Sequence, residues 1–322
     1  MADNNTTLNT PYISIVIPLL NEEESLTELF VQTKQVMSKA GYSFEMIFVD
    51  DGSTDTSWEV IKKLAVEYPL EAKGLKQFRN YGKSAALQNG FEIVQGQVVI
   101  TMDADLQDDP NELPEMIQRI KDGAHLVSGW KKKRHDPISK TIPSRFFNGV
   151  TSAVSGIKLH DFNCGLKAYD RRVIDRVHIY GEMHRYIPVL AKDEGFNKIE
   201  EQVVQHHARK YGVSKFGLSR FINGFLDLMT LMFMSRYKHR PMHFFGSIGS
   251  LLLAGGFAVN GYLSILKLLF NESISGRPLL FLGILLMVLG AQFFCTGFLG
   301  ELLNKGAEKN TILQRKQIAE QV

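Results

Sequence analysis

Apolar and polar residues alternate in blocks along the first 130 positions. Tyr12-Ile-Ser-Ile-Val-Ile17 and Phe44-Glu-Met-Ile-Phe-Val49, with the runs 74–78, 97–102 and 125–128, are short, apolar and mostly β-branched or aromatic, the pattern of buried strands. Between them, 21–38, 83–94 and 110–121 carry helical spacing, and a further helix starts after Asp50-Asp51-Gly52-Ser53-Thr54-Asp55, where Ser53, Thr54 or Asp55 is the expected cap. The acidic residues at 22–24 are expected to open the first helix, since carboxylates favour its N-terminus. Strand and helix at this spacing predict a mostly parallel, doubly wound α/β sheet over about residues 10–130. The pattern continues with a helix at 139–156, an edge strand at 162–169, a helix at 184–194 and a strand at 199–206.

The last third changes character. Residues 244–270 are mostly apolar, and 279–300 form an uncharged run of 22 residues, about 33 Å of helix, enough to cross a bilayer core. With only 271–278 between them, the two predict a membrane hairpin, the alternative being a hairpin buried in a soluble core. The basic flank Arg236-Tyr-Lys-His-Arg240 and Lys305 and Lys309 after the second span place both ends in the cytoplasm; Lys267 and Arg277 on the far side weaken that asymmetry. Residues 216–235, rich in Phe, Leu and Met, fit either an amphipathic interfacial helix or one packed on the soluble domain. Residues 1–10 are polar, expected to be disordered, and do not have the form of a signal peptide.

Charge and cysteine content narrow the class. A net charge of +3 over 322 residues is too small to imply nucleic acid. Cys164 and Cys295 stand far apart in different surroundings, which fits a reducing compartment rather than a disulfide framework.

The chemistry concentrates at strand ends. Asp103-Ala104-Asp105 follows the strand 97–102, and Asp50-Asp51 follows 44–49, so both acidic clusters face the crevice where open α/β sheets bind ligands. Side chains two apart on a strand share a side. Two carboxylates there repel unless a cation lies between them, and Mg²⁺ or Mn²⁺ bridging to a diphosphate would serve. The plain alternative is a solvated acidic turn. No G-x-G-x-x-G follows a strand, which argues against a dinucleotide oxidoreductase. Gly82-Lys83-Ser84 imitates the end of a phosphate loop, but Gln77 stands where its first glycine belongs; Lys83 is then either a phosphate ligand or an ordinary lysine at a helix start. His206 and His207 have no accompanying ligand set for zinc.

Pro18-Leu-Leu-Asn21-Glu22, Val49-Asp-Asp-Gly-Ser-Thr-Asp55, Arg79-Asn-Tyr-Gly82 and Met102-Asp-Ala-Asp-Leu-Gln107 together resemble glycosyltransferase family 2, with its GT-A (Rossmann-like) fold. Asp161-Phe-Asn-Cys-Gly-Leu-Lys-Ala-Tyr169, Gly181-Glu-Met-His-Arg-Tyr-Ile-Pro188, His207-Ala-Arg-Lys-Tyr-Gly-Val-Ser-Lys215 and the hairpin make the likeness closest to polyprenyl-phosphate glycosyltransferases. The resemblance implies a cytoplasmic GT-A catalytic domain at 11–215, a juxtamembrane helix at 216–240, transmembrane helices at 244–270 and 279–303, and a cytoplasmic tail at 304–322 of an integral inner-membrane protein. It implies that Pro18, Asn21, Glu22, Asp50, Asp51, Lys83, Asp103 and Ala104 form the nucleotide-sugar site, with Asp50 on the base. Asp103, Asp105 and Gln107 would hold the metal. Arg209 and Lys215 would cover the diphosphate, and Arg145 would receive the lipid phosphate, with help from the basic run 131–134; Glu182, His184 and Arg185 match the family without a chemical duty.

The implied reaction is an inverting, metal-dependent transfer of one sugar from a nucleotide-diphosphate donor to a polyprenyl monophosphate such as undecaprenyl phosphate. UDP-glucose is the first choice of donor; GDP-mannose, UDP-GlcNAc and aminoarabinose donors stay open, as does a homo-oligomer. A processive polysaccharide synthase is one rival, but the Gln-x-x-Arg-Trp signature of such enzymes is missing around Trp58 and Trp130, the two tryptophans of the chain. The other rival is a non-catalytic, membrane-bound nucleotide-binding scaffold.

Overall fold

The computed structural model describes residues 10–132, 138–208, 210, 240–271, 273 and 276–319, with the side chains of all but 138–146 and 304–319. The chain divides into two compact units, Met1–Leu231 and Met232–Val322.

The first unit is built on a seven-stranded sheet. Its strands are β1 (Ile13–Leu19), β2 (Phe44–Asp50), β3 (Ala72–Lys76), β4 (Val98–Thr101), β5 (Leu126–Trp130), β6 (Lys167–Asp170) and β7 (Ile199–Val203), in the order β3-β2-β1-β4-β6-β5-β7. β1 pairs in parallel with β2 from Ile13–Phe44 to Leu19–Asp50, and with β4 on its other side. β2 is buried along its whole length, as expected of a parallel strand covered on both faces. Even Glu45 is sealed in, where it accepts from Ser14 Oγ at 2.5 Å and Gln95 N at 2.8 Å and meets Lys73 Nζ at 2.6 Å.

Helices α1 (Leu26–Ala40), α2 (Ser57–Glu67), α3 (Lys83–Ile93) and α4 (Leu113–Lys121) fill the crossovers; α5 (Ile138–Ser155), α6 (Arg171–Ile174) and α7 (Ile187–Asp193) follow, with short 3₁₀ turns at Pro110–Glu112 and Met183–Tyr186. On α1, Leu26, Leu29, Phe30, Thr33 and Met37 make the buried stripe, and Gly41 ends the helix in the left-handed region at φ 73°.

Two expectations need correction. α1 begins at Leu26 rather than near Asn21, because the acidic residues before it tie two loops together instead of capping a helix. Glu23 takes the Thr56 backbone N–H at 2.7 Å and also the Thr56 hydroxyl, while Asn21 adopts φ 55°. The strand expected at the sheet edge is internal. β6 lies between β4 and β5, antiparallel to both, with Lys167 opposite Thr101 and Ser128. Running backwards, it delivers the loop that precedes it, rather than the one that follows, to the edge where β1, β2, β4 and β5 end.

The second unit is a helical hairpin of α8 (Pro241–Phe270) and α9 (Pro278–Ala319). Pro241–Phe270 and Pro278–Leu303 are long and apolar enough to cross a membrane, with mean hydropathy 1.5 and 2.3, and little of either is buried within the protein. Close backbone approach joins them: a Cβ added at Gly249 would lie 2.7 Å from Gly290 O, and one at Gly290 would lie 2.7 Å from Leu253 N. Such small-residue seams replace the hydrophobic effect as the packing force in lipid. Asn260 packs on Gly283 and donates to Met287 Sδ at 3.3 Å.

Candidate active site

The strand ends and their loops assemble the site. Past Thr101 the chain keeps its alternation: Ala104, Leu106, Asp108 and Pro110 are buried, while Asp103, Asp105, Gln107 and Asp109 are half-buried on the crevice side. Both aspartates of the motif are thus partly accessible, with Ala104 as the buried spacer. The turn is tight, with Leu106 at φ 58° and Gln107 N donating to Asp105 Oδ1 at 3.3 Å.

Asp103 is embraced by lysines. Lys83 Nζ, at the first residue of α3, pairs with Asp103 Oδ1. Burial would raise this carboxyl, but the charges of Lys83, Lys131 and Lys167 and the Lys83 hydrogen bond bring it down to about 2, so it is an anion near neutrality. Gly165, in the loop before β6, has its Cβ position filled by the Asp103 carboxylate; added there, a Cβ would sit 2.6 Å from Asp103 Cγ. Gly165 O in turn accepts from Thr101 Oγ1 at 2.8 Å.

Asp50 ends β2 fully buried. Its Oδ1 accepts from Ser53 N at 2.8 Å, while Oδ2 has no hydrogen-bond partner among the described residues. An orphaned buried carboxylate oxygen is costly unless something with a donor comes to it. Asp51 has a different duty. Its two oxygens accept from Tyr81 N at 2.7 Å and Gly82 N at 2.9 Å, and burial leads the causes that push its carboxyl up. Gly52 beside it has no room for a side chain, since a Cβ would meet the Arg79 backbone at 2.6 Å. Asp51 thus clamps the Arg79–Gly82 loop.

The Pro18-to-Glu22 turn is stitched to the loop after β2. Asn21 N donates to Ser53 Oγ at 2.9 Å, Asn21 Oδ1 accepts from Thr54 N at 2.8 Å, and Glu22 N donates to Ser57 Oγ at 2.9 Å. Pro18 lies in β1 itself, half-buried. Gln107 holds the chain leaving β7: its carbonyl accepts from His207 N at 2.9 Å, and its amide reaches His207 O at 3.4 Å. Lys210 then binds both oxygens of Glu28 on α1, at 2.9 and 2.7 Å. Arg145 falls within α5, its side chain outside the described set; Arg209, Lys215 and residues 211–239 lie outside the described residues.

Several contacts of the site give no sign in the sequence. Lys131 Nζ pairs with buried Asp108 at 2.7 Å, so the first lysine of the basic run 131–134 is not a solvated charge. Lys167 is buried in β6, donates to Cys164 O, and has its ammonium pushed down by burial. Cys164, buried, is pushed up to about 12 by burial. His184 meets Ser84 Oγ through Nδ1 at 3.0 Å, and burial with the nearby charges of Lys83, Arg185 and Lys167 holds it well below 6.5, as a neutral ring. Among the described residues no three His, Cys, Asp or Glu side chains gather as a metal cage. Asp103 and Asp105 nevertheless offer side-chain oxygens two residues apart, the donor type that fits a hard cation whose shell is completed by substrate phosphates.

Comparison with known proteins shows the family. Residues 14–177 match the model of glycosyl transferase family 2. Dodecaprenyl-phosphate galacturonate synthase of Rhizobium johnstonii is 38% identical over 294 residues, covering 90% of this chain and 87% of that protein. Undecaprenyl-phosphate 4-deoxy-4-formamido-L-arabinose transferase of Pseudomonas fluorescens is 35% identical, over 91% of this chain and 84% of that protein. Among solved structures, glucosyl-3-phosphoglycerate synthase of Mycobacterium tuberculosis in complex with Mn²⁺ and UDP-glucose shares the fold, with a TM-score of 0.53 at 18% identity over 70% of this chain and 79% of that one. The sheet is of the GT-A type, and with the family model and both relatives aligned along it, the chain belongs to glycosyltransferase family 2.

Proposed function

We propose that this glycosyltransferase moves one sugar from a nucleotide-diphosphate donor to the phosphate of a polyprenyl monophosphate, with inversion, at the cytoplasmic face of the membrane. The observation that carries this is the crevice edge itself: ionised Asp103 with Asp105 beside it, and the orphaned Asp50 oxygen two strands away. Two strand spacings are about 10 Å, a span suited to a nucleoside whose base donates to Asp50 and whose diphosphate reaches Asp103. The names of both relatives, each a transferase or synthase acting on a polyprenyl phosphate, support the acceptor. The apolar hairpin supports a membrane-held enzyme whose lipid substrate does not have to leave the bilayer.

Asp103, Asp105 and Gln107 would hold Mg²⁺ or Mn²⁺, which when bound neutralises charge on the leaving diphosphate. The chain's own residues do the rest. Asp50 and the turn at Pro18, Asn21 and Glu22 orient the nucleoside. Lys83 keeps Asp103 ionised and in place. Arg209 and Lys215 cover the diphosphate and stabilise its developing charge. Arg145 receives the acceptor phosphate, which is already anionic near neutral pH and needs no strong base. UDP-glucose is the donor to test first; a UDP-uronate is the second, favoured by the relative at 38% identity.

The test is transfer from a panel of radiolabelled nucleotide sugars to undecaprenyl phosphate in membranes carrying the full chain. Asp105→Asn is expected to lower turnover about a hundredfold or more while the protein stays folded. Near-normal transfer by that variant, or nucleotide-sugar binding without transfer to any polyprenyl phosphate, overturns the assignment.

A further inference from the structure

Helix α9 carries a second seam that the hairpin does not use. Leu285, Val288, Gln292, Cys295, Leu299 and Leu302 follow one another at alternating steps of three and four, the a/d spacing of a coiled coil. At 3.6 residues per turn they fall on the side turned away from Gly283, Gly290 and Gly297, where α9 meets α8. All six are exposed, the four aliphatic ones by at least half. Most of this face is ordinary lipid-facing surface. Gln292 is the exception.

Gln292 lies about 2 Å along the axis from the midpoint of the apolar stretch Pro278–Leu303, the depth at which neither water nor headgroups reach it. Its backbone carbonyl accepts from Thr296 Oγ1 at 2.8 Å, but the side-chain amide has no hydrogen bond among the described residues. An amide left bare in hydrocarbon is costly, and lipid tails supply neither donor nor acceptor. α8 is on the opposite side of the helix. A carboxamide both donates and accepts, so it complements itself across a two-fold axis. Two copies inserted with the same topology have that axis along the bilayer normal, which brings Gln292 of one copy to the depth of Gln292 of the other.

We infer that α9 is the self-association surface of this protein: a parallel, left-handed pairing of two copies along this seam, with the Gln292 amides hydrogen-bonded to each other at mid-membrane and fixing its register. Polar residues at such core positions set register and oligomer state in coiled coils, and membrane helices favour the same crossing geometry. The pairing does not depend on which sugar is transferred, or on whether any is.

Cys295, one turn from Gln292 on the seam, reports on it directly, since Cys164 is buried. Full-length protein in lipid vesicles, treated with copper phenanthroline, is expected to give a covalent dimer through Cys295. Phe298→Cys in a Cys295→Ser background puts an exposed thiol about a quarter-turn off the seam and is expected to give none. Counting fluorescently labelled subunits by photobleaching over a lipid-dilution series measures the association itself. Gln292→Leu, an apolar change on a lipid-facing surface that does not threaten the hairpin, is expected to weaken it about three- to thirtyfold, and Gln292→Asn by less. Equal cross-linking at position 298, association undiminished in Gln292→Leu, or single subunits at every dilution overturns the inference.

Discussion

Lys83–Asp103 and Lys131–Asp108 are the same chemical pair placed five residues apart on one turn, and their surroundings separate them. In the first, lysine and aspartate side chains are 34% and 31% exposed, at the mouth of the crevice. In the second they are 13% and 1% exposed, behind the turn. The alternation of burial after β4 makes the difference, since odd-numbered positions from 103 to 109 are half-buried and even-numbered ones from 104 to 110 are buried. The open pair can exchange its partner for a substrate-borne cation. The sealed pair cannot, and its value lies in keeping the turn in one shape.

The largest effect should come from breaking the sealed pair. Lys131→Met strands a buried carboxylate and is expected to cost about 3–5 kcal/mol, read from thermal or urea unfolding of the full chain in detergent. Lys131→Met with Asp108→Leu should recover most of that loss, because no charge is then left behind. If Lys131→Met alone unfolds like the unsubstituted protein, the two pairs are not different in kind.

Asp103→Asn is the mirror experiment. It should lower transfer about a hundredfold, roughly 2.7 kcal/mol of barrier, with little change in the unfolding midpoint. Stability falling as far as activity would make Asp103 a structural residue like Asp108. Gly165→Ala sharpens the point further, since the added methyl lands on the Asp103 carboxylate. An expected cost of about 1–3 kcal/mol, with transfer lost in step, would show that the loop before β6 sets that carboxylate's position. A fully active Gly165→Ala enzyme would show that it does not.

The smallest effect is a pH dependence. His184 is neutral when folded, its pKa held below the ordinary 6.5, so the unfolded chain takes up a proton first as pH falls. Stability linked to His184 is therefore complete above about pH 6.5 and is lost as pH drops below it towards the depressed folded value. Unfolding midpoints between pH 7.5 and 5 should fall less in His184→Gln than in the parent. Parallel curves would place the acid sensitivity elsewhere.

The elements of the sheet that could be read in advance are those where burial and residue type agree. β1, β2 and β4 are β-branched or aromatic runs sealed on both faces, and no other element hides such a run so well. β6 departs from the edge position its pattern predicts because Lys167-Ala-Tyr-Asp170 has a lysine at a fully internal position, which no local pattern foretells; its nearest compensation, Cys164 O, is visible only in the folded loop. The start of α1 departs from its pattern for a related reason. Glu23 resembles a helix-dipole residue, yet its partner Thr56 is 33 residues away. In the site, the position of Asp103 and Asp105 just past a buried strand is legible from the apolar run before them. The lysines that hold Asp103 ionised, and Asp51's attachment to Tyr81 and Gly82, are not, since they depend on contacts across 20 to 64 positions.

The reversed strand has a consequence for how such an enzyme diversifies. In a sheet of parallel strands each crevice loop is also the start of a crossover, so lengthening it disturbs the helix that must pack back on the sheet. β6 is exempt, because its crevice loop comes before the strand and is tied back to α5 through Asn148, which donates to His160 O at 2.9 Å and accepts from Phe162 N at 3.3 Å. A change of length around exposed His160 therefore need not disturb a crossover helix, whereas Phe162, Cys164 and Leu166 are buried and Gly165 packs on Asp103. The architecture thus has one rim segment whose length is uncoupled from any crossover, and anchors its far end on the carboxylate that the site depends on.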